Sequence, residues 1–294
     1  MTNNSANPPF KKHPYFDLML PSNEMLEKHV GAAVIERSVR HEWPLSCVER
    51  IVFGGGVEKY CKTMRAPSME IAAYSTLYSP LLVRAMVLAE SSDSGVLLLD
   101  SFAGSHLTKE VVGQDGLVSF IDSLRHHLAN IQGDGPVFVD LSTADKVQTK
   151  MNEMLKRLRR RFGQNAPSQI DPELIDLAER CVASREVQES FIQDAIYTNG
   201  DLSAANILVN ANEMRVIDWQ LPRVASFKVE CVNLCTSLGI EPREIFQDSV
   251  VAAAILCKVR WFAECADVWL QWCDYKEEIS SLLRVLKKLK IHQH

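Results

Sequence analysis

Residues 198–220, TNGDLSAANILVNANEMRVIDWQ, constrain this chain more than any other stretch. Two short apolar runs, Ile207-Leu208-Val209 and Val216-Ile217, flank Asn210-Ala211-Asn212-Glu213. Apolar runs joined by asparagine-rich turn residues predict a tight β-hairpin entered from a loop. A hairpin brings the residue before its first strand close to the residue after its second. Asn206 and Asp218 are therefore expected side by side, with Asp201 on the loop leading in. Two oxygen ligands with a third carboxylate suit Mg²⁺ and a nucleophile to be oriented.

Size and charge bound the rest. A chain of 294 residues, 47% hydrophobic, can bury one large core or two moderate ones. Its net charge of −5 argues against a nucleic-acid partner, for which a basic surface is the usual footprint. The eight cysteines sit mostly inside apolar runs, without a CxxC pair, and read as small buried hydrophobes. The first residues, MTNNSANPPFKKHPYF, hold no apolar leader, and the apolar run 250–256 is too short to span a bilayer. No membrane partner is expected, and the location expected is cytoplasmic.

Strand-like segments follow at 34–41, 47–53 and 57–64, after a loose lead-in over 1–22 and a short helix over 23–30. Gly54-Gly55-Gly56 reads as a hairpin turn; no GxGxxG or GxxxxGK[ST] pattern completes a nucleotide loop. Lys59 and Lys62 fall on opposite faces of their strand, so one can look into a cleft while the other meets water. A helix opens at Pro67-Ser68-Met69-Glu70, and a strand lysine followed by a helix glutamate can form a buried ion pair. The alternative is a surface Lys62 and a Glu70 favoured by the helix dipole. Strands at 83–90 and 95–99 complete a sheet of about five strands with one helix inserted.

Beyond residue 103 the chain is helical in character, with helices expected at 117–131, 147–162, 172–191, 230–238, 242–262 and 263–289. The basic run 156–161 is either a solvated helix end or a docking patch for an anionic ligand. Glu264, Asp267, Asp274, Glu277 and Glu278, near Trp261, Trp269 and Trp272, could serve a cationic substrate, or could simply be the polar side of a helix.

About five strands and one helix, then a helical region carrying D-x-x-x-x-N and an aspartate after a hairpin, resemble an α+β, protein-kinase-like two-lobe fold. NGDLSAANILVN…VIDWQ is similar to the aminoglycoside phosphotransferase and choline kinase branch, whose pattern is HGDxxxxNhhh…hhDW. Protein kinases proper carry HRD, DFG and APE instead. The resemblance implies an N-terminal lobe over 1–103, a hinge at 100–104, and a helical lobe over 104–294 with catalytic loop 198–206 and metal-binding hairpin 206–220. It implies ATP or another NTP, Mg²⁺ and a small hydroxylated substrate. Asp201 would orient the attacking hydroxyl, Asn206 and Asp218 would hold Mg²⁺, and Lys62 paired with Glu70 would meet the α- and β-phosphates. The backbone of Asp100, Ser101 and Phe102 would meet adenine, and residues 42–46 would cover the phosphates.

Three departures accompany it. Asn199 stands where the family has histidine, Asn233 near its expected aspartate, and the phosphate-covering turn has no glycine. Two functions follow: an ATP-dependent kinase acting on a small-molecule hydroxyl, or a kinase-like nucleotide-binding module without transfer.

Overall fold

The computed structural model describes residues 9–113, 116–164 and 166–291. They form two compact units. One comprises the chain to residue 105 with 132–136 and 208–220; the other comprises 106–131, 137–207 and 221 onward.

The first unit is built on a five-stranded antiparallel sheet. Its order is Val34–Trp43, Ser46–Phe53, Glu58–Arg65, Ser94–Asp100 and Ala85–Glu90. Ser46–Phe53 shows the expected two-residue period, burying Cys47, Glu49, Ile51 and Phe53 on one face. The acid among them is tolerated because Arg37 donates to both its oxygens, at 2.7 and 2.5 Å. The first hairpin turns on Pro44 and Leu45 alone, between paired Trp43 and Ser46. The Trp43 indole donates to Ser46 Oγ at 2.6 Å and the Leu45 carbonyl accepts from Arg65 N–H at 3.0 Å, so a glycine-free turn is held from both sides. Gly54–Gly56 is one turn between strands, as its composition implies.

Two local expectations change here. Part of the lead-in is strand: Phe10–Lys12 pairs with Met19–Pro21, and Leu18 and Leu20 are buried beside Cys47. The helix begins at Glu70 rather than Pro67, because Ser68 N–H is bonded to Arg65 O and Met69 N–H to Gln220 O.

The second unit packs its helices around Asp248–Glu264, whose VVAAAILC stretch is almost wholly buried. The helix expected over 172–191 is two, Pro172–Ala183 and Arg185–Ile192, since Ser184 has extended backbone. The long helix over 263–289 breaks as well. Cys265–Trp269 is a single wide turn, and Asp274 accepts from Lys276 N–H at 3.0 Å to start Lys276–Leu286. A small sheet that the sequence reading missed joins Ala195–Thr198 antiparallel to Arg223–Ser226, which pairs parallel with Val139–Asp140.

Three of the five basic residues of the run at 156–161 are paired with acids of the same unit. Arg157 and Arg160 meet Asp267, Arg157 also meets Glu264, and Arg159 meets Glu179. Two of the acids considered for a cationic ligand, Glu264 and Asp267, are thus taken up by arginines considered for an anionic one. All eight cysteines are free thiols. Burial pushes Cys47, Cys181 and Cys235 up to about 11, which makes them poor nucleophiles at neutral pH. No helix among the described residues is long and apolar enough to cross a membrane.

Candidate active site

In the first unit, strand Glu58–Arg65 sends Lys59 and Lys62 to opposite faces. Lys59 pairs with Asp100. Lys62, only 6% exposed, lies between Glu70 and Asp218, whose Oδ1 is 2.5 Å from Nζ. Three residues singled out from distant parts of the chain therefore meet at one buried ammonium. Burial opposes that charge, yet Asp218 and Glu70 outweigh it and hold the lysine pKa above its ordinary value. Glu70, 1% exposed, is pushed upward by burial, against the pull of Lys62 and with the push of Asp218. One cation faces two carboxylates, Glu70 buried and Asp218 partly exposed.

Asp218 owes its position to strained backbone and an anchored neighbour. Its φ of 63° lies in the left-handed region, where aspartate is tolerated better than most residues. Next to it Trp219 is fully buried; its indole donates to Val216 O at 2.8 Å and its N–H to Glu70 Oε1 at 3.3 Å. The hairpin before it, Ile207–Val209 with Met214–Val216, closes through the Asn210 side chain, which accepts from Asn212 and Glu213 N–H at 2.9 Å.

The hinge segment belongs to the same unit. Asp100 N–H is committed to Arg84 O, and Phe102 O accepts from Gly104 N–H. Ser101 Oγ donates to Glu58 at 3.2 Å, and the Arg215 guanidinium stacks over the Phe102 ring at 5.1 Å. A Cβ at Gly104 would lie 2.5 Å from Val209 O, so only glycine lets the hairpin approach there.

The second cluster surrounds Asp201. Strand Ala195–Thr198 delivers Asn199, and Gly200 turns with φ +82°, where a Cβ would stand 2.0 Å from Leu221 O. Asn199, wholly buried, accepts from Asp201 N–H at 3.3 Å and donates to Asp201 O at 3.4 Å. Asn206 Nδ2 donates to Asp201 O at 2.9 Å and to Asp201 Oδ2 at 3.1 Å. Asn233 Nδ2 donates to Asp201 Oδ1 at 2.8 Å and to Leu202 O at 3.1 Å. Each carboxylate oxygen of Asp201 thus receives an amide N–H. An aspartate at 233 would instead face it with a like charge.

The sequence marked Asn206 through the D-x-x-x-x-N motif and Asn199 and Asn233 only as departures from the family pattern; it missed the contact of Asn233 with the Asp201 carboxylate. It also missed the buried pair in which Arg223 donates to Glu230, the latter fully buried. They stand seven residues apart, but Arg223 lies on a strand and Glu230 on the helix after it, so the helical look of that spacing carries no signal.

Asn206 and Asp218 fall in different units, so each is described by its own cluster. The chemistry of both fits a hard cation. Asn206 turns its nitrogen to Asp201, which leaves its carbonyl oxygen able to meet a cation, and Asp218 has a partly exposed carboxylate. Among the described residues no group of three His, Cys, Asp or Glu side chains forms a metal cage. Mg²⁺ suits so sparse an oxygen set, since it is commonly held by one or two carboxylates together with water and phosphate.

No family model matches the sequence, and no curated protein does. Solved structures resemble the chain over most of its length. Aminoglycoside phosphotransferase APH(4)-Ia, a thermostable mutant in ternary complex with AMP-PNP and hygromycin B, is 12% identical with a TM-score of 0.58, covering 90% of this chain and 97% of that one. A choline/ethanolamine kinase family protein from Mesorhizobium loti is 14% identical with a TM-score of 0.59, covering 86% and 87%. Macrolide 2'-phosphotransferase MphH from Brachybacterium faecium is 15% identical with a TM-score of 0.55, covering 88% and 96%. The chain thus has the α+β, protein-kinase-like fold in the form shared by aminoglycoside phosphotransferases, macrolide phosphotransferases and a choline/ethanolamine kinase family protein.

Proposed function

We propose that this protein is a phosphotransferase that moves the γ-phosphate of ATP, or another NTP, to the hydroxyl of a small molecule. The observation that carries the reading is the buried Lys62 ammonium held between Glu70 and Asp218. A cation buried at the cost of desolvation beside two carboxylates is poor economy for stability alone. It makes sense as a pre-set partner for phosphate oxygens. The relatives in fold act consistently with this: one is a complex with AMP-PNP and hygromycin B, others are macrolide phosphotransferases.

Each residue then has a task. Lys62, oriented by Glu70, neutralises the α- and β-phosphates. Asn206 and Asp218 are the proposed oxygen donors for Mg²⁺, which supplies charge neutralisation across the phosphates when bound. Asp201 accepts a hydrogen bond from the substrate hydroxyl and aims it at phosphorus; in-line positioning matters more than covalent chemistry here. Base recognition falls to the hinge, where Ser101 and the Phe102 N–H are the candidates because the Asp100 N–H is already engaged. Residues 1–103 form the proposed nucleotide-covering lobe and 104–294 the proposed substrate lobe.

The alternative, a nucleotide-binding module without transfer, rested on Asn199 and Asn233 as faulty supports. Asn233 donates to Asp201 Oδ1 and Leu202 O at 2.8 and 3.1 Å, while Asn199 makes two longer contacts with the Asp201 backbone at 3.3 and 3.4 Å; the supports are present, which favours the enzyme. The test has two stages. Mg·ATP raises the melting temperature of the folded protein, because a ligand that binds only the native state stabilises it. A panel of hydroxylated metabolites then yields Mg²⁺-dependent ATP consumption that Asp201→Asn lowers by about 10²–10⁴-fold, while nucleotide binding persists. Undiminished turnover in that variant would remove Asp201 from the reaction.

A further inference from the structure

The helix Glu70–Thr76 places Tyr74 one turn beyond Glu70 on the same face. The Tyr74 ring packs on the buried cluster of Leu97, Leu99 and Ile71 that Ile217, the residue before Asp218, also covers. Its hydroxyl is buried and has no hydrogen-bond partner among the described residues. Such a group is unfavourable, and phenylalanine would fill the same space without the penalty. Burial raises the phenol pKa, and the Glu70 and Asp218 carboxylates add to that rise, so the hydroxyl stays protonated and feels both charges.

We propose that Tyr74 is a positioning residue at the phosphate end of the nucleotide site, donating its O–H to the Glu70–Asp218 carboxylate pair when Lys62 turns toward a phosphate. The inference rests on the proposed phosphotransferase reading. In the structure the ammonium serves both carboxylates. A phosphate oxygen competes for its N–H groups, and Glu70 is too buried for water to take their place. A neutral O–H one helical turn away replaces the lost donor without adding charge. The hydroxyl is then unpartnered only in the ligand-free state.

Thr63 provides a matched control. Its Oγ is equally buried and without a partner, but it alternates with Lys62 along the strand and faces away. Isothermal titration calorimetry with Mg·ATP on Tyr74→Phe and Thr63→Val, with calorimetric melting of the ligand-free proteins, separates the two. Tyr74→Phe should weaken Mg·ATP about tenfold, the scale of one hydrogen bond to a charged group, with ligand-free melting unchanged or raised. Thr63→Val should bind as the parent does. Parent-like affinity in Tyr74→Phe, or equal weakening in both variants, overturns the inference and leaves the phosphotransferase reading intact. Folded parent protein that does not bind Mg·ATP overturns both.

Discussion

Two carboxylates are held still by opposite chemistry. Around Asp218 the fixing agents are charges: an ammonium, a second carboxylate and a left-handed backbone, gathered from a strand, a helix and a hairpin. Around Asp201 they are neutral amides, two of them from the loop itself. A charged cluster in a buried place is costly to assemble and catastrophic to leave half-built. An amide cluster adjusts direction at less risk, since each deletion removes two neutral-donor hydrogen bonds but takes away no counter-ion. The first suits a place where a highly charged ligand must be met; the second suits a side chain that must only point correctly.

The sharpest way to break this contrast is Lys62→Met. It leaves Glu70 and Asp218 without their counter-ion, and breaking a buried pair from one side costs about 3–5 kcal/mol. Urea denaturation at neutral pH should report a loss of that order together with abolished stabilisation by Mg·ATP. A loss below about 1 kcal/mol would mean that relaxation or water supports the carboxylates, and the charged cluster would then be no more demanding than the amide one.

A pH series sharpens the same point. Glu70 has a folded pKa raised by burial above its unfolded value. As pH climbs past about 4.3, the ordinary glutamate value, the unfolded chain releases this proton before the folded one does. The folded state then binds more protons, so this group's contribution is fully present below the unfolded pKa and is lost as pH rises through the folded one. Lys62 is shifted upward too, so its contribution remains in place throughout that acid window. Glu70→Gln should therefore gain on the parent in stability as pH increases across it, measured by denaturant midpoints. A gap that moves the other way would say that the ion pair, not burial, governs Glu70.

Asn233 tests the amide side. Asn233→Ala removes one of the donors to Asp201 and should reduce turnover about tenfold, with Mg·ATP affinity kept. Asn233→Asp should be worse than alanine, since it sets a second negative charge where an N–H now stands 2.8 Å from Asp201 Oδ1. Equal turnover in both variants would reduce Asn233 to a support for the Leu202 carbonyl.

How much of this was legible follows the same division. The five strands and the D-x-x-x-x-N loop were readable because local period and motif spacing mark them; the Lys62–Glu70 pair stayed open on position and came with the family resemblance. Asp218 was readable as a lone acid after Val216-Ile217, yet its contact with Lys62 was not, because no spacing rule links residues in a strand and a hairpin so far apart in sequence. The helix break at Ser184 and the wide turn over Cys265–Trp269 escaped for another reason. Both lie inside continuous helical patterns and depend on tertiary packing rather than on proline or glycine. The first sheet of the second unit escaped because its strands are short and pair across long separations.

The mildest effect is expected where the sequence displayed its most conspicuous charge. Arg160 meets Asp267 through both Nε and Nη2, but its side chain is 67% exposed, so water and salt screen the pair. Exposed ion pairs contribute about 0–1 kcal/mol. Asp267 also keeps Arg157 as a partner after the change. Arg160→Ala should therefore move the denaturation midpoint barely beyond error and leave Mg·ATP affinity and acceptor KM as they were. A KM raised tenfold at constant kcat would instead identify the run as a docking site for an anionic acceptor. The contrast would then have a third term: charge kept at the surface for recognition, besides charge buried at Lys62 and charge avoided around Asp201.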